Sequence, residues 1–187
     1  IEGIGTSLKG NLTLEDGNLY LNIESMGEAG TIVWTGSESN VWDLDATENF
    51  RDADGNSDTF ITDDCVLFTD EAVQTTVILN GDLQADSVIV DNTKNYTFQG
   101  SGALVGTTTL VKRGTGGLTI TNENTYTGGN RISGGYVSVS SLANANQAKG
   151  NLGGMTTAAN KFVMENGGEL RATAAVTNGS AIRFEGE

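Results

Sequence analysis

Residues 110–141 read LVKRGTGGLTITNENTYTGGNRISGGYVSVSS, and this stretch decides the fold. Two short alternating segments lie in it, Leu118-Thr-Ile-Thr121 and Tyr136-Val-Ser-Val-Ser140, separated by clusters of Gly and Asn. Alternation of apolar and polar residues is the pattern of a half-buried β-strand, and Gly/Asn clusters punctuate turns. Upstream, similar segments recur at intervals of roughly ten residues: Thr76-Val-Ile-Leu79, Ser87-Val-Ile-Val90, Tyr96-Thr-Phe98, Ala103-Leu-Val105 and Thr109-Leu-Val111. Asn80-Gly81, Asp91-Asn92 and Gly100-Ser-Gly102 intervene as turns. Three strands per coil, at roughly twenty to thirty residues per coil, is the arithmetic of a stacked β-solenoid. A coil in such a stack cannot bury its apolar face alone and depends on its neighbours. Alternating strands at this spacing also fit a β-sandwich, which stands as the alternative.

The run Asn124-Thr-Tyr-Thr-Gly-Gly129, followed by Ser133-Gly-Gly135, resembles the passenger-associated transport repeat of bacterial autotransporters. That pattern is roughly L-x-K-x-G-x-G-x-L-x-L-x-G-x-N-T-Y-T-G-G-T, then G-G-x-L-x-V. On this resemblance Gly114, Gly116, Asn124, Thr125, Tyr126, Thr127, Gly128, Gly129, Gly134 and Gly135 are the structural repeat residues. The resemblance decides for the all-β, right-handed parallel β-helix over the sandwich. It implies a non-catalytic section of an exported bacterial surface protein, held by neighbouring coils of its parent and passed across the outer membrane. It extends upstream through Trp34-Thr-Gly36, Trp42 and Asn49-Phe50, where Phe50 stands in place of a family tryptophan.

The flanks carry less signal. Residues 1–33 read as leading coil strands, Leu12-Thr-Leu14 and Leu19-Tyr-Leu-Asn-Ile23 around Asp16-Gly17, with Leu19, Leu21 and Ile23 turned inward together. Residues 34–74 read as a Trp-containing acidic insertion or cap, and 75–187 as the solenoid proper. A weaker repeat copy occupies Phe162-Val-Met-Glu-Asn-Gly-Gly-Glu-Leu170 and Ala181-Ile-Arg-Phe184. Residues 143–149 (ANANQAK) are the one place where a helical turn is expected, ended by Gly153-Gly154. The chain begins at Ile1 without a start signal, which reads as a section of a longer protein.

Composition narrows the function. With 24 acidic residues against 10 Lys and Arg, the formal charge of −14 repels phosphate backbones and anionic bilayers, so no nucleic acid is expected as a partner. The chain contains no His and one Cys, so His-based triads, His–zinc sites and thiolate zinc clusters are excluded. Cys65 lies in the apolar run Cys65-Val-Leu-Phe68 and reads as a small hydrophobe. Carboxylates are the remaining catalytic material, but Asp43, Asp45, Asp52, Asp54, Asp58, Asp63 and Asp64 crowd one loop region rather than successive coils. No catalytic residue is assigned, and no cofactor except calcium is entertained. Aligning Gly55 with the invariant glycine of an EF-hand loop puts Asp52, Asp54 and Asp58 at ligand positions, while Phe50 and Ile61 break both ends. Trp34, Trp42 and Phe50 read as core or cap, with Trp34 and Trp42 as a glycan-stacking surface in the alternative. Lys112 and Arg113 read as a solvated turn, and Gly128 as a corner requiring positive φ.

Overall fold

The computed structural model describes residues 6–143, 147–154 and 162–173, and all its regular elements are strands. The first two, β1 (Thr6–Glu15) and β2 (Asn18–Glu28), form an antiparallel hairpin closed by Asp16 and Gly17, both at positive φ. Paired positive-φ residues suit the right-handed twist of a two-residue hairpin. This hairpin joins neither of the larger sheets, in place of the leading coil strands expected over 1–33. Leu19, expected inward, is 67% exposed beside Leu14 across the turn, because the hairpin tip has nothing packed on that face.

From β3 (Thr31–Trp34) and β4 (Val41–Trp42) the chain makes an excursion through β5 (Phe50–Arg51) and β6 (Ser57–Asp58). It then settles into a rhythm: β7 (Cys65–Phe68), β8 (Thr76–Leu79), β9 (Asp82–Leu83), β10 (Ser87–Asp91), β11 (Tyr96–Gly100) and β12 (Ala103–Leu104). The rhythm continues in β13 (Thr109–Arg113), β14 (Gly117–Ile120), β15 (Asn130–Ile132), β16 (Tyr136–Val139), β17 (Phe162–Met164) and β18 (Glu169–Ala172). Strands consecutive in sequence fall in different sheets, and each pairs in parallel with its counterpart one turn away. One sheet runs β17-β15-β13-β10-β7-β3, a second β18-β16-β14-β11-β8-β4, and a narrow third pairs β9 with β12. Ser87 pairs with Cys65 and with Thr109, 22 positions to either side. This is an all-β, β-helix-like stack, and its parallel ladders are not those of the antiparallel sandwich.

The alternation read from the sequence places the core. Val66, Phe68, Val88, Val90 and Leu110 from the first sheet, and Val77, Leu79, Phe98, Leu118, Ile120, Val137 and Val139 from the second, are buried on one axis. Their outward neighbours are more exposed, apart from the buried Ser138 between Val137 and Val139. Residues in register lie one strand spacing apart, about 4.8 Å, so each inward side chain rests on the equivalent one of the next coil.

Residues 147–149 show no helix, and 144–146 of the segment expected to turn lie outside the described residues, as do 181–184 of the weaker repeat copy. Phe162 and Leu170 of that copy extend the two sheets as β17 and β18.

Candidate functional site

The repeat is built as a corner of the stack. Asn124 is wholly buried: its Oδ1 accepts from the Leu104 amide (2.8 Å) and from Asn122 Nδ2 (2.7 Å), and its Nδ2 donates to the Asn151 carbonyl (2.7 Å). Asn124 therefore ties the coil before it to the coil after it. Asn151 returns the tie, donating from Nδ2 to the Asn122 carbonyl (2.8 Å) while its Oδ1 accepts from the Ser140 and Ser141 amides. Tyr126 is also fully buried, and its hydroxyl donates to Asn130 Oδ1 (2.6 Å). Burial pushes that phenol's pKa far up, so it stays a neutral donor. Thr125 is exposed, but its amide donates to the Leu104 carbonyl (2.9 Å), and Thr127 binds Gly106 through both amide and hydroxyl.

The glycines stack in the same way. Gly114 and Gly116 lie against the backbone of Asn92 and Lys94 one coil earlier, and Gly134 and Gly135 lie against Gly114 and Gly116 in turn. Gly128 departs from the expectation: the positive φ of this corner belongs to Gly129 (+105°). What Gly128 supplies is closeness, since a Cβ there would meet the Thr107 carbonyl oxygen at 2.2 Å and that of Thr108 at 2.5 Å. Gly128→Val is thus expected to force the corner off the preceding coil and cost about 1–3 kcal/mol, read as a lower denaturation midpoint. An unchanged midpoint would contradict this packing.

Lys112, read from sequence as solvated, is buried. Its stem lies in the inward row between Val90 and Ile132, and Nζ donates to the carbonyls of Arg113 and Gly114 at the corner. Burial lowers its pKa to about 8, against the opposing pull of Asp91 and Asp70. A long stem with a polar tip can line a core and still reach a turn, which a count of charged residues does not reveal.

Trp34 and Trp42 present no surface to a sugar: both are 0% exposed. Trp34 packs edge-on to Phe50 (5.2 Å between ring centres) and Trp42 edge-on to Phe60 (5.3 Å), with Phe68 against both and Phe98 behind it at 4.9 Å. Trp34 Nε1 donates to the Gln74 carbonyl (2.8 Å). These rings fill the first turn of the stack, which corrects the glycan-contact reading in favour of core.

The calcium geometry is not assembled either. Asp52 Oδ2 accepts from Asn56 Nδ2 (3.0 Å) and Oδ1 from the amides of Asp54 (2.9 Å) and Asn56 (2.8 Å), so its carboxylate folds back into its own turn and its pKa is lowered, the Asn56 side-chain bond foremost. Asp58 Oδ1 accepts from the Thr59 amide. Among the described residues no group of three acidic, Cys or His side chains converges as a metal cage.

The acid that stands out is Asp64, buried and joining two segments: Oδ1 accepts from the distant Gly30 amide (2.9 Å) and Oδ2 from the Ile61 amide of its own turn (2.8 Å). Burial raises its pKa to about 6, the two amides oppose the shift, and the charges of Asp58 and Asp63 add to it. The folded-state pKa lies above the ordinary aspartate value of 3.8, so the folded chain holds this proton more tightly than the unfolded one. Its stabilising contribution is complete below pH 4 and is lost as pH rises through about 6. Acidification from pH 7 to 5 should therefore raise the melting temperature of the wild type more than that of Asp64→Asn. The difference is at most roughly 1.4 kcal/mol per pH unit inside that window. Parallel pH profiles would contradict it.

Comparison with known proteins follows this geometry. A sequence model described as the passenger-associated-transport-repeat matches residues 110–139. The chain is also similar to the adhesin BmaC autotransporter of Brucella suis biovar 1 (strain 1330), 31% identical over 122 residues, covering 53% of this chain and 4% of that protein. The chain thus spans a small part of the length of the relative it matches. No solved structure matches it. The matched stretch holds Asn124 and Asn130, whose side chains tie one coil to the next, and residues 110–139 are similar to the passenger-associated transport repeat.

Proposed function

We propose that this chain is a non-catalytic section of a surface-exposed bacterial passenger, serving as a β-helical scaffold or stalk. The observation that carries the reading is the use made of the repeat: Asn124 and Asn130 are consumed in coil-to-coil bonds, and Tyr126 and Lys112 in bonds that close the corner of their own coil. Side chains spent inside the stack hold its shape and present nothing to a ligand. On this reading the chain's partners are the neighbouring coils of its parent. Export across the outer membrane fits the same physics, because a coil that emerges and folds against its predecessor cannot slide back without unstacking.

A second reading, a binding module of an adhesin, is favoured by the name of the similar Brucella protein. Its contacts would come from exposed loops rather than from the tryptophans. A glycan array separates the two. The scaffold reading expects no saturable binding by the folded chain. Saturable binding, abolished by a surface substitution that leaves the melt unchanged, would overturn it. Release of new reducing ends from polysaccharides would overturn the non-catalytic assignment.

A further inference from the structure

We propose that residues 31–64 are a starting cap that closes one end of the stack, so that strands add to it only from the other end. Three observations support this. The terminal strand β3 does not end in a free parallel edge, because β5 pairs with it antiparallel (Trp34 with Phe50) and β6 pairs antiparallel with β5. The outermost strand is then two residues long and carries Asp58. Short, charged edges of this kind are how β-proteins block further pairing.

The second sheet ends just as abruptly. Its terminal strand, β4, has two residues, and the amides of Ile78 and Asn80 take the carbonyls of Asn40 and Trp42. In a parallel ladder the groups of Val41 then face away from β8. Both are already engaged: the Val41 amide donates to Ser39 Oγ (3.1 Å), and its carbonyl accepts from Asn49 Nδ2 (2.7 Å). Asn49 is wholly buried, and its Oδ1 accepts from the Glu38 and Ser39 amides, so one side chain fixes this edge shut.

Along the axis, Trp34, Trp42, Phe50, Phe60 and Phe68 occupy the space on which an earlier coil would rest. The chain before them, β1–β2, pairs only with itself. Repeat proteins need such ends, since an uncovered terminal coil exposes both core and backbone.

Hydrogen exchange on the full chain tests this. A capped end keeps the amides of Val33 and Thr35, which face β5 and Asn49, at least about tenfold slower than those of β17 and β18, and comparable with Val88 and Val90. Exchange at Val33 and Thr35 as fast as at β17 and β18 would overturn the cap. Arg51→Pro, which interrupts β5, should speed exchange at Val33 and Thr35 by about tenfold, leave Val88 and Val90 slow, and produce larger species on sedimentation. A folded, monomeric Arg51→Pro chain with unchanged exchange at Val33 and Thr35 would also overturn it. If that variant does not fold, the wild-type exchange pattern alone decides.

Discussion

Trp42→Ala is expected to lower unfolding free energy by about 3–5 kcal/mol, the cost of emptying a fully buried large-aromatic site. Trp42 is 0% exposed and touches Phe50, Phe60, Phe68 and Phe98, so its loss leaves a cavity bordered by four other rings. Edge-to-face pairs add about 0.5–1.5 kcal/mol each beyond the area they bury. For a domain of this size each kcal/mol moves the melting temperature by roughly 2–4 °C, so the variant should melt about 6–20 °C lower. Trp42 Nε1 has no partner among the described residues, so Trp42→Phe gives up volume without breaking a bond seen there and should cost much less. A Trp42→Ala chain with wild-type stability would place this ring on the surface and revive the glycan-contact reading.

Asn124→Ala should be as damaging although it removes only a small side chain. It strips partners from the Leu104 amide, the Asn151 carbonyl and Asn122 Nδ2. A buried group left without its partner costs about 1–3 kcal/mol, and partial relaxation brings the expected total to about 3–6 kcal/mol. Thr125→Ala is the matched comparison: the residue is exposed and the corner bond comes from its amide, so about 0.5 kcal/mol or less is expected. Both values are read from urea unfolding midpoints. Equal losses in the two variants would mean that the corner is held by turn propensity rather than by the buried asparagine.

Much of the architecture was legible in the sequence because period-two alternation is a local signal. Leu118 with Ile120 and Val137 with Val139 announce their inward face by spacing alone, and all four are buried. The repeat told which residues build the corner but not how deeply. Asparagine reads as a turn residue, so the burial of Asn49, Asn122, Asn124, Asn130 and Asn151 depends on partners some 10 to 29 positions away. Lys112 was misread for the same reason, because its charge suggests solvent while register puts its stem in the core. Leu19 failed in the opposite direction: alternation predicts which side chains share a face, not whether anything covers it. The segment around the tryptophans was the least legible. Its β3–β5–β6 pairing is antiparallel inside an otherwise parallel sheet, and no local pattern encodes that change of direction. The acidic residues illustrate the same limit, since Asp52 closes its own turn while Asp64, twelve positions on, joins its own turn to Gly30, 34 positions back.

Successive coils stack in parallel register, and the chain's single cysteine allows a direct measurement of that register. Cys65 and Ser87 are register partners, with Sγ and Oγ 3.0 Å apart. In Ser87→Cys two thiols would face each other across adjacent coils, within the range that a disulfide spans without backbone movement. Mild oxidation should close this bond quantitatively within one chain, seen as loss of free thiol in a species that stays monomeric on a non-reducing gel. Ile89→Cys, whose register partner is Leu67, should keep its thiol free under the same conditions. Free thiols in Ser87→Cys, or equal crosslinking in Ile89→Cys, would contradict the stacked-coil account.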